Sequence, residues 1–464
     1  MWLSRFKIKE YLFYLLIFIL PWQTRWIIRD IPVNGEVWEY GRISLYGWDI
    51  LLIVLLVISW PLMWQEAKNF KIQSSNTKPN SKSESLNFLT FGFWNLDFRV
   101  IYLLLLLYTL VSIFWSTDKL LAMVWSARLL EGGILWLLIK TIKPKLNLIF
   151  LSLAFAGTIQ ALWGISQFLT QSTFANKWLG VAIHPLTQPG TSVVLTSAGR
   201  WLRAYAGQVH PNVLGGLLVI TCLVTVWLYL ENVKIKNQNA KWLLVIYVVQ
   251  LAGLFFTFSR GAWLALFITL GLWWWKDKHD VIASPEFVEE RGNPNRLLRC
   301  FAPRNDSLSV MVITALVFII LGVLYWQPTV GRFMGGSKLE QQSIDERVGS
   351  IGESRSLLRE SWWHGVGMGN YTVALISFEP GYRAYRYQPV HNIFLLILTE
   401  FGIIGLIFFI WLLWLKLKTY IIRNLIFIIP ITITSLFDHY WWTIASMFML
   451  LWLILFLNDK KAYD

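Results

Sequence analysis

The feature that most constrains this chain is a series of twelve long apolar segments. Each approaches the ~20 mostly apolar residues that an α-helix needs to cross a bilayer. Because lipid offers an open backbone no hydrogen-bond partners, such segments are expected to be helical. With 56% hydrophobic residues and a mean hydropathy of +0.52, the sequence predicts an all-α, polytopic membrane protein with about 12 transmembrane helices. The segments lie near residues 10–29, 48–64, 98–115, 120–139, 146–169, 211–230, 242–258, 261–275, 308–326, 391–415, 420–436 and 440–457.

Positive charges are divided unequally between the two sides of this predicted bundle. The short loops on one side contain mostly lysine, such as Lys140, Lys143 and Lys145, which places them and both termini in the cytoplasm. The other loops contain mostly arginine, although positive residues are normally sparse outside. A guanidinium can hold phosphate through two parallel hydrogen bonds, so these arginines predict an outward-facing site for a pyrophosphate-linked substrate. They are Arg200, Arg203, Arg260, Arg332, Arg347, Arg355, Arg359, Arg383 and Arg386.

Several function classes are disfavoured by what the sequence contains and lacks. The net charge is +14, but the basic residues are spread over many short loops, so we expect no nucleic-acid partner. The sequence has no Asp-x-Asp, no metal-ligand spacing, no phosphate-binding loop and no Gly-x-Ser-x-Gly. A metal-dependent transferase is therefore disfavoured, and no metal or cofactor is expected.

The chain is divided by composition into three parts. Residues 1–200 are expected to form N-terminal transmembrane helices, the first of them a retained anchor. Residues 201–457 are expected to form a catalytic membrane core that includes a large outer loop at 327–390, and 458–464 a short cytoplasmic tail. The polar stretches 65–97 and 276–307 are typical of solvated linkers.

The outer loop 327–390 contains a predicted amphipathic helix. Ser343 and Glu346 have the spacing of a capping box, which predicts that a helix starts there. Such a helix would lie on the membrane or on the bundle and is a candidate lid. Its apolar stripe would consist of Ile344, Val348, Ile351 and Leu358.

The first candidate motif leads into the segment at 211–230. Arg203 and His210 precede Pro211, which suits the first position of a helix. Both side chains would then lie beside a helix N-terminus, where anions are stabilised. Two interpretations stay open: anion binding, or an arginine that reaches the lipid headgroups while His210 caps the helix.

The second candidate motif is Ser259-Arg260-Gly261, between two apolar segments with almost no loop. A charge so close to hydrocarbon is costly unless it meets a partner or a polar cavity. Arg260 is therefore a candidate substrate-binding residue, and Gly261 would allow close approach to the backbone.

The third candidate motif opens the segment at 391–415. His391 can titrate near neutrality, as a general base must, and Asn392 adds a donor and an acceptor. Glu400 lies about halfway round the helix from His391 and is expected to support a buried polar group. Gly402 and Gly405 would permit close helix packing.

Other residues carry weaker signals. Arg347 could face the site or solvent, and Asp438, next to His439, could complete the site or pair with an arginine. Gly365 to Tyr371 has a glycine spacing without a preceding strand, so a substrate-facing turn is favoured over a dinucleotide site. Arg128 and Glu131 have the spacing of an ion pair within one helix.

Taken together, these motifs resemble the O-antigen ligase and polymerase superfamily. The similarity spans roughly residues 200–440 and includes the His-Pro-Asn helix entry, the Ser-Arg-Gly junction and His-Asn-x7-Glu-x-Gly-x2-Gly. The resemblance implies a GT-C-like membrane enzyme that uses an undecaprenyl-pyrophosphate-linked glycan on the outer side without metal. One departure is Ser361-Trp362, where the family often has His-Pro, so His364 is given no role.

The resemblance also implies roles for particular residues. Arg203 and Arg260 would hold the pyrophosphate, and His391 would activate the acceptor hydroxyl. We add His210, Asn392 and Arg347 as substrate-binding residues, with Glu400 and Asp438 as supporting ones.

The function expected is glycan transfer to an acceptor hydroxyl at the outer face of the cytoplasmic membrane. The acceptor could be a lipid, a glycan or a protein, so ligase and polymerase activities both stay open. A transporter or flippase is the non-enzyme alternative, but it would favour charges at the bilayer midplane.

Overall fold

The fold is described from a computed structural model that covers residues 2–76, 98–235, 237, 240–282, 306–333, 338–418 and 422–457. Most of the two predicted linkers, 65–97 and 276–307, and the whole tail 458–464 lie outside the described residues. The helices of the described part, numbered α1 to α16, are Trp2–Ile19, Gly47–Asn76, Phe98–Ser112, Lys119–Ile142, Leu146–Thr170, Pro211–Lys234, Ala240–Phe256, Arg260–Ile282, Asp306–Leu324, Trp326–Phe333, Lys338–Ser361, Tyr371–Phe378, Ile393–Lys418, Ile422–Ser435, Tyr440–Thr443 and Ala445–Leu457.

The helices support a multi-pass membrane protein. Within the described residues, six stretches are long and apolar enough to cross a bilayer: Gly47–Gln65, Lys119–Ile142, Leu146–Thr170, Pro211–Val233, Asp306–Leu324 and Ile393–Leu417. Four shorter apolar helices accompany them. The mostly helical architecture is therefore confirmed, whereas the count of twelve spans and the GT-C likeness stay predictions.

Two short antiparallel hairpins depart from the all-α expectation. Strands β1, Arg25–Arg29, and β2, Ile43–Tyr46, form the first hairpin, in the segment predicted as helix up to residue 29. Helix α1 ends at Ile19, and Pro21 supplies no amide to continue it. Strands β3, Val193–Thr196, and β4, Gly199–Leu202, form the second hairpin, just before the first candidate motif.

Helix α6 lies at the centre of the bundle, where it packs against α5, α7 and α8. Its apolar window is 94% buried, although its sequence is as hydrophobic as that of a lipid-facing helix. As predicted, it begins at Pro211, and the His210 side chain caps it by accepting from the Asn212 amide. The first turn of this helix is closed, because Pro211 has no amide and the amides of Asn212, Val213 and Leu214 all bind His210.

Helix α13 is broken at Gly402, which adopts φ 64° and ψ −169°. Because this backbone conformation is open mainly to glycine, the break depends on the residue type. The glycine turn at 365–369 fills the gap, since Val366 N and Gly367 N donate to the carbonyls of Thr399 and Glu400 at 3.0 and 2.8 Å. The close packing expected at Gly402 is therefore made between the glycine turn and α13, not between two helices.

The loop predicted to lie outside, 327–390, contains most of α10 and all of α11 and α12. Helix α11 begins at Lys338, so the capping box at Ser343 lies inside the helix and does not start it. Its buried face carries serines, and Ser354 Oγ lies 3.0 Å from the Tyr371 hydroxyl. The apolar stripe, by contrast, is exposed at Ile344 and Val348, so it does not pack on the bundle. Its contact with a membrane stays a prediction.

The last predicted segment, 440–457, is divided in two. The short helix α15 ends at Thr443, and Ile444 has extended φ and ψ before α16 begins. The turn before it holds Asp438 and His439, with His439 buried.

Candidate active site

An open cleft of about 310 Å³ lies where the first and second motifs meet helices α10 and α11. Residues from the start of α6, the α7–α8 junction, α10, α11 and the turn after α14 line it. This cationic cleft is bordered by Asn212, Ser259, Arg260, Gly261, Arg332, Arg347, Phe437, Asp438 and Tyr440.

Three arginines, against one carboxylate, give the cationic cleft its charge. Arg332 Nε donates to the Phe258 carbonyl at 3.0 Å, and Arg260 Nη1 reaches the Arg332 carbonyl at 3.4 Å. Arg347 Nε is buried without a hydrogen-bond partner among the described residues. A buried guanidinium nitrogen in that state favours an anionic ligand, because an unsatisfied donor costs about 1–3 kcal/mol.

A strained turn accepts hydrogen bonds from Arg203 and Arg332. Phe258, between α7 and α8, has φ 48°, which a bulky side chain rarely adopts. The Thr257 carbonyl accepts from Arg203 Nε at 2.7 Å, and the Phe258 carbonyl accepts from Arg332. The turn therefore aims two successive carbonyls at guanidinium groups from distant parts of the chain.

Arg203 lies behind the wall of the cationic cleft. It is 5% exposed, and its Nη2 donates to Asn212 Oδ1 at 2.7 Å. Asn212 Nδ2 in turn donates to Asp438 Oδ2 at 2.8 Å. The expected pairing of Asp438 with an arginine is therefore indirect, through one amide.

Three imidazoles surround Asp438. The rings of His391 and His439 are 5.1 Å apart and nearly perpendicular. Both nitrogens of His210 have partners, with Ser192 Oγ 2.7 Å from Nε2 and the Asn212 amide donating to Nδ1. His439 Nδ1 lies 2.7 Å from Thr443 Oγ1. His391 differs, because its Nδ1 is buried without a hydrogen-bond partner among the described residues.

Burial keeps these imidazoles in their neutral form. It lowers the pKa of His210 to about 3, helped by Arg203, and lowers the pKa of His439 to about 4. The pKa of His391 is also lowered by burial, against the opposing effect of Asp438. For Asp438, burial acts to raise the pKa, but His439, His391 and other neighbours outweigh it, so its pKa is lowered. At neutral pH the cluster is thus one carboxylate among neutral imidazoles.

Asn392 and Glu400, two residues predicted to belong to the site, make hydrogen bonds within the protein. Asn392 Oδ1 accepts from the Leu395 amide at 3.0 Å, and its Nδ2 donates to the Leu436 carbonyl at 3.3 Å, so the side chain caps α13. Glu400 is 2% exposed and accepts from Trp442 Nε1 at 2.9 Å. Glu400 thus has a buried indole as its partner, and its supporting role stays a prediction.

The structure also brings in residues without a predicted role. Arg332 is one of the nine arginines predicted to lie outside, but it belongs to none of the three motifs. It reaches the cationic cleft because α10 packs near the α7–α8 turn. His439 was considered only as a neighbour of Asp438. Asn212 was quoted in the first motif, yet its side-chain bridge between Arg203 and Asp438 could not be read from its position.

A family model described as O-antigen ligase matches residues 243–410. This match confirms the resemblance to the O-antigen ligase and polymerase superfamily. The matched region includes Arg260 and His391, whereas Arg203 and Asp438 lie outside it. No curated protein matches the chain. Within the described residues, no group of three or more His, Cys, Asp and Glu side chains could hold a metal ion, and metal independence stays a prediction.

Proposed function

We propose that this chain, with its O-antigen ligase-like region at 243–410, is an integral membrane glycosyltransferase. Its donor is a glycan on undecaprenyl pyrophosphate, and its acceptor is a hydroxyl at the outer side of the cytoplasmic membrane. The observation that carries the proposal is a cleft with three arginines near a half-buried imidazole, that of His391, whose Nδ1 has no hydrogen-bond partner among the described residues. Residues 201–457 form the catalytic core in this proposal.

The arginines bind the pyrophosphate and stabilise it as it leaves. Arg260, Arg332 and Arg347 line the same cavity, and each can present two parallel N–H groups to phosphate oxygens. Negative charge grows on the departing pyrophosphate in the transition state, so preorganised cations lower the barrier. Arg203 acts as a positioning residue, because its contacts go to Thr257 and Asn212.

His391 acts as the general base. It is neutral at physiological pH, so Nδ1 can accept the acceptor hydroxyl proton. The hydroxyl oxygen then forms the new bond to the anomeric carbon, and the old bond electrons leave with the pyrophosphate oxygen. Asp438 stabilises the imidazolium, since its carboxylate favours the protonated form of His391. A single displacement inverts the anomeric centre.

The acceptor distinguishes a ligase from a polymerase, and both fit this cleft. A transporter is less well supported, because the buried charge of Arg128 within a span is paired and Glu400 accepts from the Trp442 indole. Arg128 lies between Asp49 and Glu131, with 2.9 Å from its Nη1 to Glu131 Oε2, which extends the predicted ion pair to three groups.

The proposal is tested by a transfer assay with purified protein, lipid-linked donor and acceptor. His391→Ala should lower turnover by about 10²–10⁴-fold, the usual contribution of a general base. Arg383→Ala is the matched control for an outer cationic residue, since Arg383 is 74% exposed. Near-normal turnover in His391→Ala would refute the assigned role.

A further inference from the structure

A second cavity, of about 70 Å³, has a lining that includes none of the residues of the cationic cleft. It is lined by the β1–β2 hairpin, α4, α13 and the turn between α15 and α16, among other residues. We call it the hairpin cavity. It has room for about five waters, enough for the hydroxyl-bearing edge of one sugar ring but not for a lipid tail.

The hairpin cavity is polar but its charges are compensated. Arg25 is paired with Glu39, and Arg42 pairs with Glu39 at 3.0 Å and with Asp30 at 2.8 Å. On α4, Arg128 is paired as described above. Because each arginine of this cavity has a carboxylate partner, a phosphate would have to displace one. A neutral, hydroxylated ligand is favoured over an anion.

One hydroxyl in the hairpin cavity has no partner. Ser44 is 8% exposed on β2, lines the cavity, and its Oγ has no hydrogen-bond partner among the described residues. The backbone around it is held, since the Ser44 carbonyl accepts from Arg128 Nη2 at 2.9 Å. A buried hydroxyl is both donor and acceptor, so it matches a ligand hydroxyl. Aromatic rings at Tyr40 and Trp442 complete a lining typical of small-molecule sites.

Two successive ring contacts connect the hairpin cavity to the proposed base. Tyr40 lines it and makes an edge contact with His439, with ring centroids 5.9 Å apart. His439 is in turn 5.1 Å from the His391 ring. Thr443, which also lines the cavity, lies 2.7 Å from His439 Nδ1 through its hydroxyl. Both cavities therefore adjoin the imidazole cluster, the cationic cleft through Asp438 and the hairpin cavity through Tyr40 and Thr443.

We propose that the hairpin cavity binds the hydroxyl-bearing edge of a neutral pyranose of the acceptor, with Ser44 hydrogen-bonded to one of its hydroxyls. The inference rests on the proposed function, because only that function makes the bound sugar an acceptor. The cationic cleft takes the charged pyrophosphate, and the hairpin cavity takes the uncharged sugar whose hydroxyl reacts. The acceptor class is thereby a carbohydrate-bearing molecule.

Direct binding tests this proposal without any need for catalysis. Saturation-transfer difference NMR is recorded on the full chain in nanodiscs, with glucose and N-acetylglucosamine as probes and inorganic pyrophosphate as competitor. Ser44→Val adds a methyl group to the cavity wall and suits a strand, and Ser44→Ala removes the hydroxyl alone. Ser59→Val is the matched control, because Ser59 is also buried with an unpartnered Oγ but does not line the cavity.

Sugar binding is expected in the wild type, in Ser59→Val and in His391→Ala, and pyrophosphate should not displace it. In Ser44→Val it should weaken by at least about tenfold, the ratio that corresponds to about 1.4 kcal/mol, and Ser44→Ala should weaken it as well. The proposal is overturned if the wild type binds neither sugar, if pyrophosphate competes, or if Ser44→Ala binds like the wild type. A fully active His391→Ala protein would contradict the proposed function alone, so the two failures are distinguishable.

Discussion

The Asn212 bridge can be tested by a nearly isosteric substitution, Asn212→Asp. The variant keeps the oxygen that accepts from Arg203 at 2.7 Å, but it replaces the N–H donor that faces Asp438 at 2.8 Å with a second carboxylate oxygen. Two carboxylates at this separation cannot both stay ionised, so the pair will share one proton. The net charge of the cleft wall then stays the same, while Asp438 no longer offers a full negative charge to His391.

The expected loss comes from the charge that Asp438 no longer offers to the protonated His391, because the shared proton keeps a hydrogen bond between the two carboxylates. An interaction with a charged group contributes about 1.5–3 kcal/mol, which corresponds to about 10- to 150-fold in kcat. The donor KM should change little, because Arg260, Arg332 and Arg347 are untouched. The assay is steady-state transfer by protein in liposomes, with donor and acceptor varied separately.

Asn176→Asp is the matched control for this substitution. Asn176 Oδ1 accepts from the amides of Trp178 and Leu179 in an outer loop, and a carboxylate accepts equally well. Wild-type kcat in Asn212→Asp, or an equal loss in Asn176→Asp, would refute the reasoning.

Three further predictions concern charge, backbone and pH. Arg260→Lys should lower kcat/KM nearly as much as Arg260→Ala, since an ammonium cannot bind phosphate bidentately; full activity in the lysine variant would count against the cleft. Gly402→Ala should lower the melting temperature, because φ 64° costs an alanine about 1–3 kcal/mol and its Cβ would overlap the Trp363 carbonyl; an unchanged melting curve would contradict this. The pKa of His439 is about 4 when folded, below the unfolded value of about 6.5, so its stabilisation is present above pH ~6.5 and lost as pH falls towards 4. The melting temperature should therefore depend less on pH across that range in His439→Gln than in the wild type. An equal dependence on pH in the two proteins would argue against this reasoning.

Much of the fold was predictable, because the length of an apolar segment and the residues that start a helix are both local features of the sequence. Pro211 after a capping residue starts α6 as expected, and the alternation of apolar segments with short polar loops located most of the helices. The β1–β2 hairpin was missed, because Arg25 to Arg29 contains an apolar core that also suits a helix. Its pairing with Ile43 to Tyr46 depends on contacts across the turn.

The sequence predicted which residues belong to the candidate site better than how these residues are arranged. Arg260 was identified because a charge between two apolar helices requires a polar environment, and the structure places it in the cationic cleft. Arg203 was expected to contact the ligand, but its hydrogen bonds to Thr257 and Asn212 place it behind the wall. Sequence cannot show which way a buried side chain points, nor that Arg332 would join Arg260 from α10.

The central claim is that guanidinium groups bind the donor pyrophosphate next to His391. The most direct measurement is a cryo-EM structure of the full chain with undecaprenyl pyrophosphate bound. The account predicts both phosphates within hydrogen-bond distance of Arg260, Arg332 and Arg347 in the cationic cleft. Phosphates in the hairpin cavity, or at a surface remote from His391, would contradict it.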